Sequence, residues 1–198
     1  MSEFLAPIHF WLYDKIKVQE ELTAALADLA HDKGWDDGID CSSYVSCDLP
    51  ALDTVIDEGN IHGWLQARIG DAEGRYAQLV TALVSADPTR MDALQEAAEQ
   101  FGKRHAIGAT TPQDAYRCFE NTLLNGMPCD RVNVLTEQEE THLAWEEAMD
   151  LHASFWDAAG GDAANYRSLR SAVMRGMLDN SGVVLNVRDT YSFEMACA

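Results

Sequence analysis

Two histidines in this chain open the same phrase. Ile8-His9-Phe10-Trp11-Leu12 recurs as Ile61-His62-Gly63-Trp64-Leu65. The match continues through Lys15 with Arg68, Ile16 with Ile69, Glu20 with Glu73, Ala24 with Ala77 and Leu26 with Leu79. A His and a Glu therefore recur on the same flank of two similar stretches. Imidazole and carboxylate suit iron, zinc or manganese. The repeat thus points to a metal or polar site inside a helical protein.

A helix turns about 100° and rises about 1.5 Å per residue. Glu20 returns nearly to the azimuth of His9 but lies about 16 Å further along the axis. His62 and Glu73 repeat that relation. Neither helix can bring its own pair together. Packed antiparallel, the two helices would set His9 against Glu73 and His62 against Glu20. Packed parallel, they would set His9 beside His62 and Glu20 beside Glu73, which is closer to the ligand supply of metal-binding bundles. The sequence allows both.

A third set of ligands falls in residues 136–159, read as one helix. Glu139-Glu140-Thr141-His142 has the Glu-x-x-His spacing of di-iron carboxylate bundles. His142 and Glu146 are four apart and share a side. His152 falls among Trp145, Ala148, Phe155 and Trp156, and a buried imidazole needs a partner for each ring nitrogen. The candidate ligands are His9, His62, His142, Glu146 and His152, with Glu20, Glu73 and Glu139 as second choices. The first five carry a partial resemblance to hemerythrin-like and DinB-like helical metalloproteins, which implies a transition-metal centre held by several helices. The pattern departs from those families. There is no His-x-x-x-His, His62 is followed at i+4 by Gln66, and a second Glu-x-x-His is absent.

Packing accounts for the same residues. His9 and His62 can cap or bond locally at helix starts, with Trp11 and Trp64 packed beside them. Thr136 with Glu139 can be a capping box. His142 with Glu146 can be an exposed helical pair, and His152 can be a satisfied core histidine. Cys129, in a loop after Gly126, would act as a nucleophile if His105 or another base lay near. Cys41 and Cys47 stand among Asp37, Asp40 and Asp48, which disfavours the thiolate. Trp11, Trp64, Trp145 and Trp156 would line a pocket for a small aromatic or cationic ligand. No Cys-x-x-Cys, Gly-rich phosphate loop, dinucleotide fingerprint or Gly-x-Ser-x-Gly is present.

The elements that must position these groups follow from periodicity and caps. Ile8, Leu12, Ile16, Leu22, Leu26 and Ala30 predict a helix over 8–32. Asn60 caps the next, to about Ala86. Asp87-Pro88 opens another, ending near His105. Thr111-Pro112 opens a fourth, to about Asn125. Residues 136–159 form a fifth, and Asp162 caps the last, to about Leu178. Residues 183–187 and 190–195 alternate like two strands. The fold class is mainly α: one domain over 1–198, an up-and-down bundle of about six or seven helices by this periodicity, with a short C-terminal β-hairpin (182–196) packed on it.

The bulk numbers exclude some partners. Asp and Glu number 33 against 14 Lys and Arg, a formal charge of −19. Such a chain repels nucleic acid and anionic membranes, and no segment reaches the ~20 apolar residues of a membrane span. The N-terminal Glu3 and the odd number of cysteines, 5, fit a cytoplasmic protein. A basic protein partner, a homo-oligomer or a small-molecule ligand is compatible with the charge. The functional expectation is a helical-bundle protein that binds iron, zinc or manganese. The alternatives are a non-catalytic accessory protein and a small-ligand-binding one.

Overall fold

The computed structural model of the chain describes residues 5–35, 38–46, 48–106 and 108–198. Cys47 and Asp37 of the acidic loop lie outside them. Among the described residues there are six α-helices: α1 (Pro7–Asp32), α2 (Ile61–Ala86), α3 (Arg90–Arg104), α4 (Pro112–Thr122), α5 (Ala153–Ala158) and α6 (Ala163–Met177). Two short 3-10 turns lie between α1 and α2.

The helix starts follow from side chains that satisfy free backbone N–H groups. Asn60 Oδ1 accepts from Gly63 N–H at α2, Thr111 Oγ1 from Asp114 N–H at α4, and Asp162 Oδ1 from Ala164 N–H at α6. At α1, Pro7 takes the first position and the Ala6 N–H donates to His9 Nδ1. Gly34 and Gly126 have left-handed φ where α1 and the α4 segment stop.

α1 and α2 run parallel. His9 lies beside His62, Tyr13 beside Trp64, and Glu20 pairs with Arg75. This departs from an up-and-down bundle. The long connection from Lys33 to Asn60 carries the chain back to the starting end, which a short helix-to-helix loop would not do.

The segment 136–159 is the larger correction. It forms not one helix but β1 (Asn133–Gln138), β2 (His142–Glu147) and the short α5. Its Glu, Gln, Leu and Ala favour helix locally, yet pairing with the C-terminal hairpin overrides that preference. β3 (Val183–Val187) and β4 (Ser192–Cys197) form as expected, and the four strands make one antiparallel sheet in the order β1-β2-β4-β3. Trp145 on β2 pairs with Phe193 on β4, and their rings stack with centroids 5.1 Å apart. Glu139 closes the β1–β2 turn through its N–H to His142 O, so Thr136 and Glu139 form no capping box.

The main core joins Leu26, Tyr76, Leu83, Trp156, Leu169 and Met177, and Val183, Phe193 and Met195 bring the sheet into it. A second cluster of Leu12, Ile16, Leu65, Ile69 and Leu124 fills the space between the first turns of α1 and α2. α3 and α6 approach backbone to backbone. A methyl group at Gly102 would overlap the Val173 carbonyl, and one at Gly176 would overlap the Glu99 carbonyl. Backbone cannot swing aside like a flexible side chain, so overpacking here is costly. Gly102→Ala should cost about 3 kcal/mol and lower Tm by roughly 6–12 °C. A melting curve within about 2 °C of the parent would refute this close contact.

Candidate functional site

The chain buries a chain of polar groups between α2, α5, α6 and residues 123–125. Glu73 on α2 is 1% exposed and His152, just before α5, is 3% exposed. His152 Nδ1 lies 3.1 Å from Glu73 Oε1. A carboxylate oxygen only accepts, so the ring nitrogen donates. His152 Nε2 faces the Tyr166 hydroxyl at 2.8 Å and Asn125 Oδ1 at 3.1 Å. Arg170 Nη1 donates to the Tyr166 oxygen at 3.0 Å and to the Leu124 carbonyl at 3.0 Å. Asp150 fixes the turn that carries His152 by accepting the N–H groups of His152 and Ala153.

From Asn125 the contacts run outward. Asn125 Nδ2 donates to Asn133 Oδ1 at 3.3 Å, and Asn133 Nδ2 donates to Glu120 Oε1 at 2.6 Å. These three residues line a cavity of about 70 Å³ together with Trp11, Lys15 and Arg131. One water needs about 10–15 Å³ on this measure, so the space suits roughly five or six heavy atoms.

Lys15 is the group that stands out. It is 4% exposed and has no hydrogen bond or ion pair among the described residues. Its ammonium lies 4.2 Å from the centroid of the Trp11 ring, a cation–π contact. Burial, opposed by Glu120 and reinforced by Arg170, pushes its amine down to about 8. Arg131, which is exposed, stands in the loop that lines the cavity, with a φ of 51°. A non-glycine residue held there stores strain, which such positions carry more often at binding sites than elsewhere.

The predicted ligands fall in three separate places. His9 and His62 meet at the start of α1 and α2, ring centroids 5.8 Å apart, as the parallel arrangement requires. They line an open groove of about 450 Å³ with Leu12, Leu65, Cys129 and Asp130. His9 is also a helix-start contact, since its Nδ1 accepts the Ala6 N–H. His142 lies across the sheet, 3.3 Å from Glu194 and 3.4 Å from Glu137. Arg188, Asn186 and His142 together hold the Glu194 carboxyl at about 2. Glu146 is exposed on β2, and Glu139 is exposed in the turn. His152 pairs with Glu73, a second choice, and Glu20 pairs with Arg75. Among the described residues, no three His, Cys, Asp or Glu side chains form a group able to hold one metal ion.

The other expectations divide similarly. Cys129 stands by His9 and His62 in the groove, while His105 packs on Phe101. Of the tryptophans, Trp11 lines the Lys15 cavity, Trp145 and Trp156 are core residues, and Trp64 packs on Tyr13. No helix among the described residues is long and apolar enough to cross a membrane.

Lys15, Asn125, Arg131, Tyr166 and Arg170 were not among the predicted ligands. Lys15 carried a signal: it is three residues after Leu12 and seven before Leu22, inside the apolar stripe, where a lysine is out of place. Arg131 and Asn125 carried none, because loop geometry alone brings them to the cavity. No known protein family, curated protein or solved structure matches this chain.

Removing the hydrogen-bond partner of a buried carboxylate leaves that group unsatisfied. His152→Ala should therefore cost about 3–5 kcal/mol in urea unfolding, more than a typical core truncation of a histidine's contacts would. A cost below about 1 kcal/mol would mean that Glu73 finds another partner.

Proposed function

We propose that this protein binds a small carboxylate in the cavity between α1, α4 and the 126–133 loop. The observation that carries the reading is Lys15, a buried side chain with no ion pair among the described residues, lining a cavity that the exposed Arg131 also lines. In a chain with a charge of −19, Lys15 and Arg131 outnumber Glu120 in the lining of this cavity, which makes it a local exception. A carboxylate supplies what they lack: Lys15 donates as a point charge, and the Arg131 guanidinium presents its planar pair of N–H groups. Glu120 lines the same space, with one oxygen held by Asn133. The cavity volume suits a ligand on the scale of lactate. The polar contacts from Asn125 through His152 to Glu73 tie the cavity wall to the core and keep it in shape.

A second reading keeps the metal expectation. Its support is the meeting of His9 and His62 beside Cys129 in one groove. Against it stands the His9 Nδ1 contact to Ala6 N–H, which leaves the proton on Nε2, the nitrogen that would have to ligate. Metal analysis of protein purified without added metal tests this reading. Stoichiometric zinc, iron or manganese, lost in His62→Ala, supports it, and only trace metal removes it.

Calorimetric titration with lactate tests the carboxylate reading. Charge-assisted hydrogen bonds contribute about 1.5–3 kcal/mol each, so Lys15→Met should weaken lactate at least roughly tenfold, and Arg131→Ala by a comparable factor. Affinity should fall as pH rises through about 8, where Lys15 loses its proton. Binding that is unchanged in Lys15→Met and flat across that range would remove the reading.

A further inference from the structure

We infer that Lys15 is a reactive amine that forms an imine with the carbonyl carbon of a small 2-oxo acid. The inference rests on the carboxylate reading and adds an activity to it. Three features of the cavity support it. Lys15 Nζ is seated on Trp11 and has no ion pair among the described residues, so nothing has to be displaced before it attacks. Arg131 lines the same space and can take the carboxylate of the oxo acid, which leaves the neighbouring carbonyl toward the amine. Glu120 lines it too, with one oxygen held by Asn133 Nδ2 at 2.6 Å and the other available to move a proton.

The burial that pushes the amine down to about 8 also raises the share of neutral, nucleophilic lysine near neutral pH. The same means activates lysines in other apolar sites. The Trp11 face tolerates the positive charge that the product keeps.

The step balances without an oxidant or reductant. The ammonium of Lys15 first loses its proton to solvent, and solvent returns one when the oxygen departs. The neutral nitrogen forms a bond to the carbonyl carbon, and the C=O π pair moves to oxygen. Glu120 relays a proton from nitrogen to that oxygen, the C–O bond breaks, and the oxygen leaves as water. The protonated imine retains one positive charge, as the ammonium did. Such a group draws electrons from the adjacent carbons, which is the chemistry of aldol-type cleavage and of decarboxylation.

Reductive trapping tests the inference. The full-length chain is incubated at pH 8 with pyruvate and sodium cyanoborohydride, and the product is mapped by peptide mass spectrometry. The expected result is one adduct, on Lys15, absent in Lys15→Met and in Lys15→Arg. Protein unfolded in urea should lose the preference for Lys15 over Lys17, Lys33 and Lys103. Glu120→Gln should slow adduct formation at least tenfold while lactate still binds. Equal labelling of Lys17, Lys33 and Lys103 in the folded protein would overturn the inference. So would an unlabelled Lys15 in protein that still binds lactate through Lys15, an outcome that leaves the carboxylate reading standing. Failure of both lactate and pyruvate to bind would remove the two together.

Discussion

The contact between Glu73 and His152 constrains the interior of this protein more than any other. A carboxylate at 1% exposure is costly unless its charge is answered nearby. The answer comes from the ring of His152 before α5, whose other nitrogen meets the Tyr166 hydroxyl on α6, which in turn accepts from Arg170. The contact therefore sets how α5 and α6 close over α2, and the aromatic packing of Tyr76, Trp156 and Tyr166 follows from that closure. One oxygen of Glu73 is buried with no hydrogen-bond partner among the described residues. The network tolerates some cost and holds a fixed geometry in return.

The parallel pairing of α1 and α2 is the second constraint. Two long amphipathic helices with related sequences bury like faces against each other, and their first turns end level. That level end forms the groove of His9 and His62. α1 also buries three polar side chains, Lys15, Gln19 and Glu20. Arg75 answers Glu20. Lys15 is answered only by the Trp11 ring and by the field of Glu120. The same helix thus contains a closed charge pair and an open one, and the open one faces the cavity.

The sheet has a different part. β1 and β2 carry little of the candidate site, but β1 supplies Asn133, which reaches both Asn125 and Glu120. Trp145 and Phe193 anchor the strands to the main core. The loop from Gly126 to Arg131 is held between α4 and β1, so the sheet indirectly keeps Arg131 at the cavity.

Local pattern made much of the helical part legible. The starts at Asn60, Thr111-Pro112 and Asp162, and the apolar period of α1 and α2, depend on short-range hydrogen bonds and on burial of one face. Both leave marks within a few residues. The C-terminal hairpin was legible for the same reason. Residues 133–158 were not, because their helix-favouring composition loses to cross-strand pairing with β4, and a strand partner about 50 residues away leaves no local mark. His152 was legible as a buried imidazole in need of partners, but Glu73 as its partner was not. The repeat pointed to His9 beside His62 as one of two arrangements, and the long connection between the helices decided for it. Sequence by itself thus determined that His152 was an imidazole in need of partners, while the lysine in the apolar stripe of α1 stood in the pattern unread. Tertiary structure alone decided which anomalies meet, because hydrogen bonds and charge pairs act over a few ångströms between groups that the chain keeps far apart.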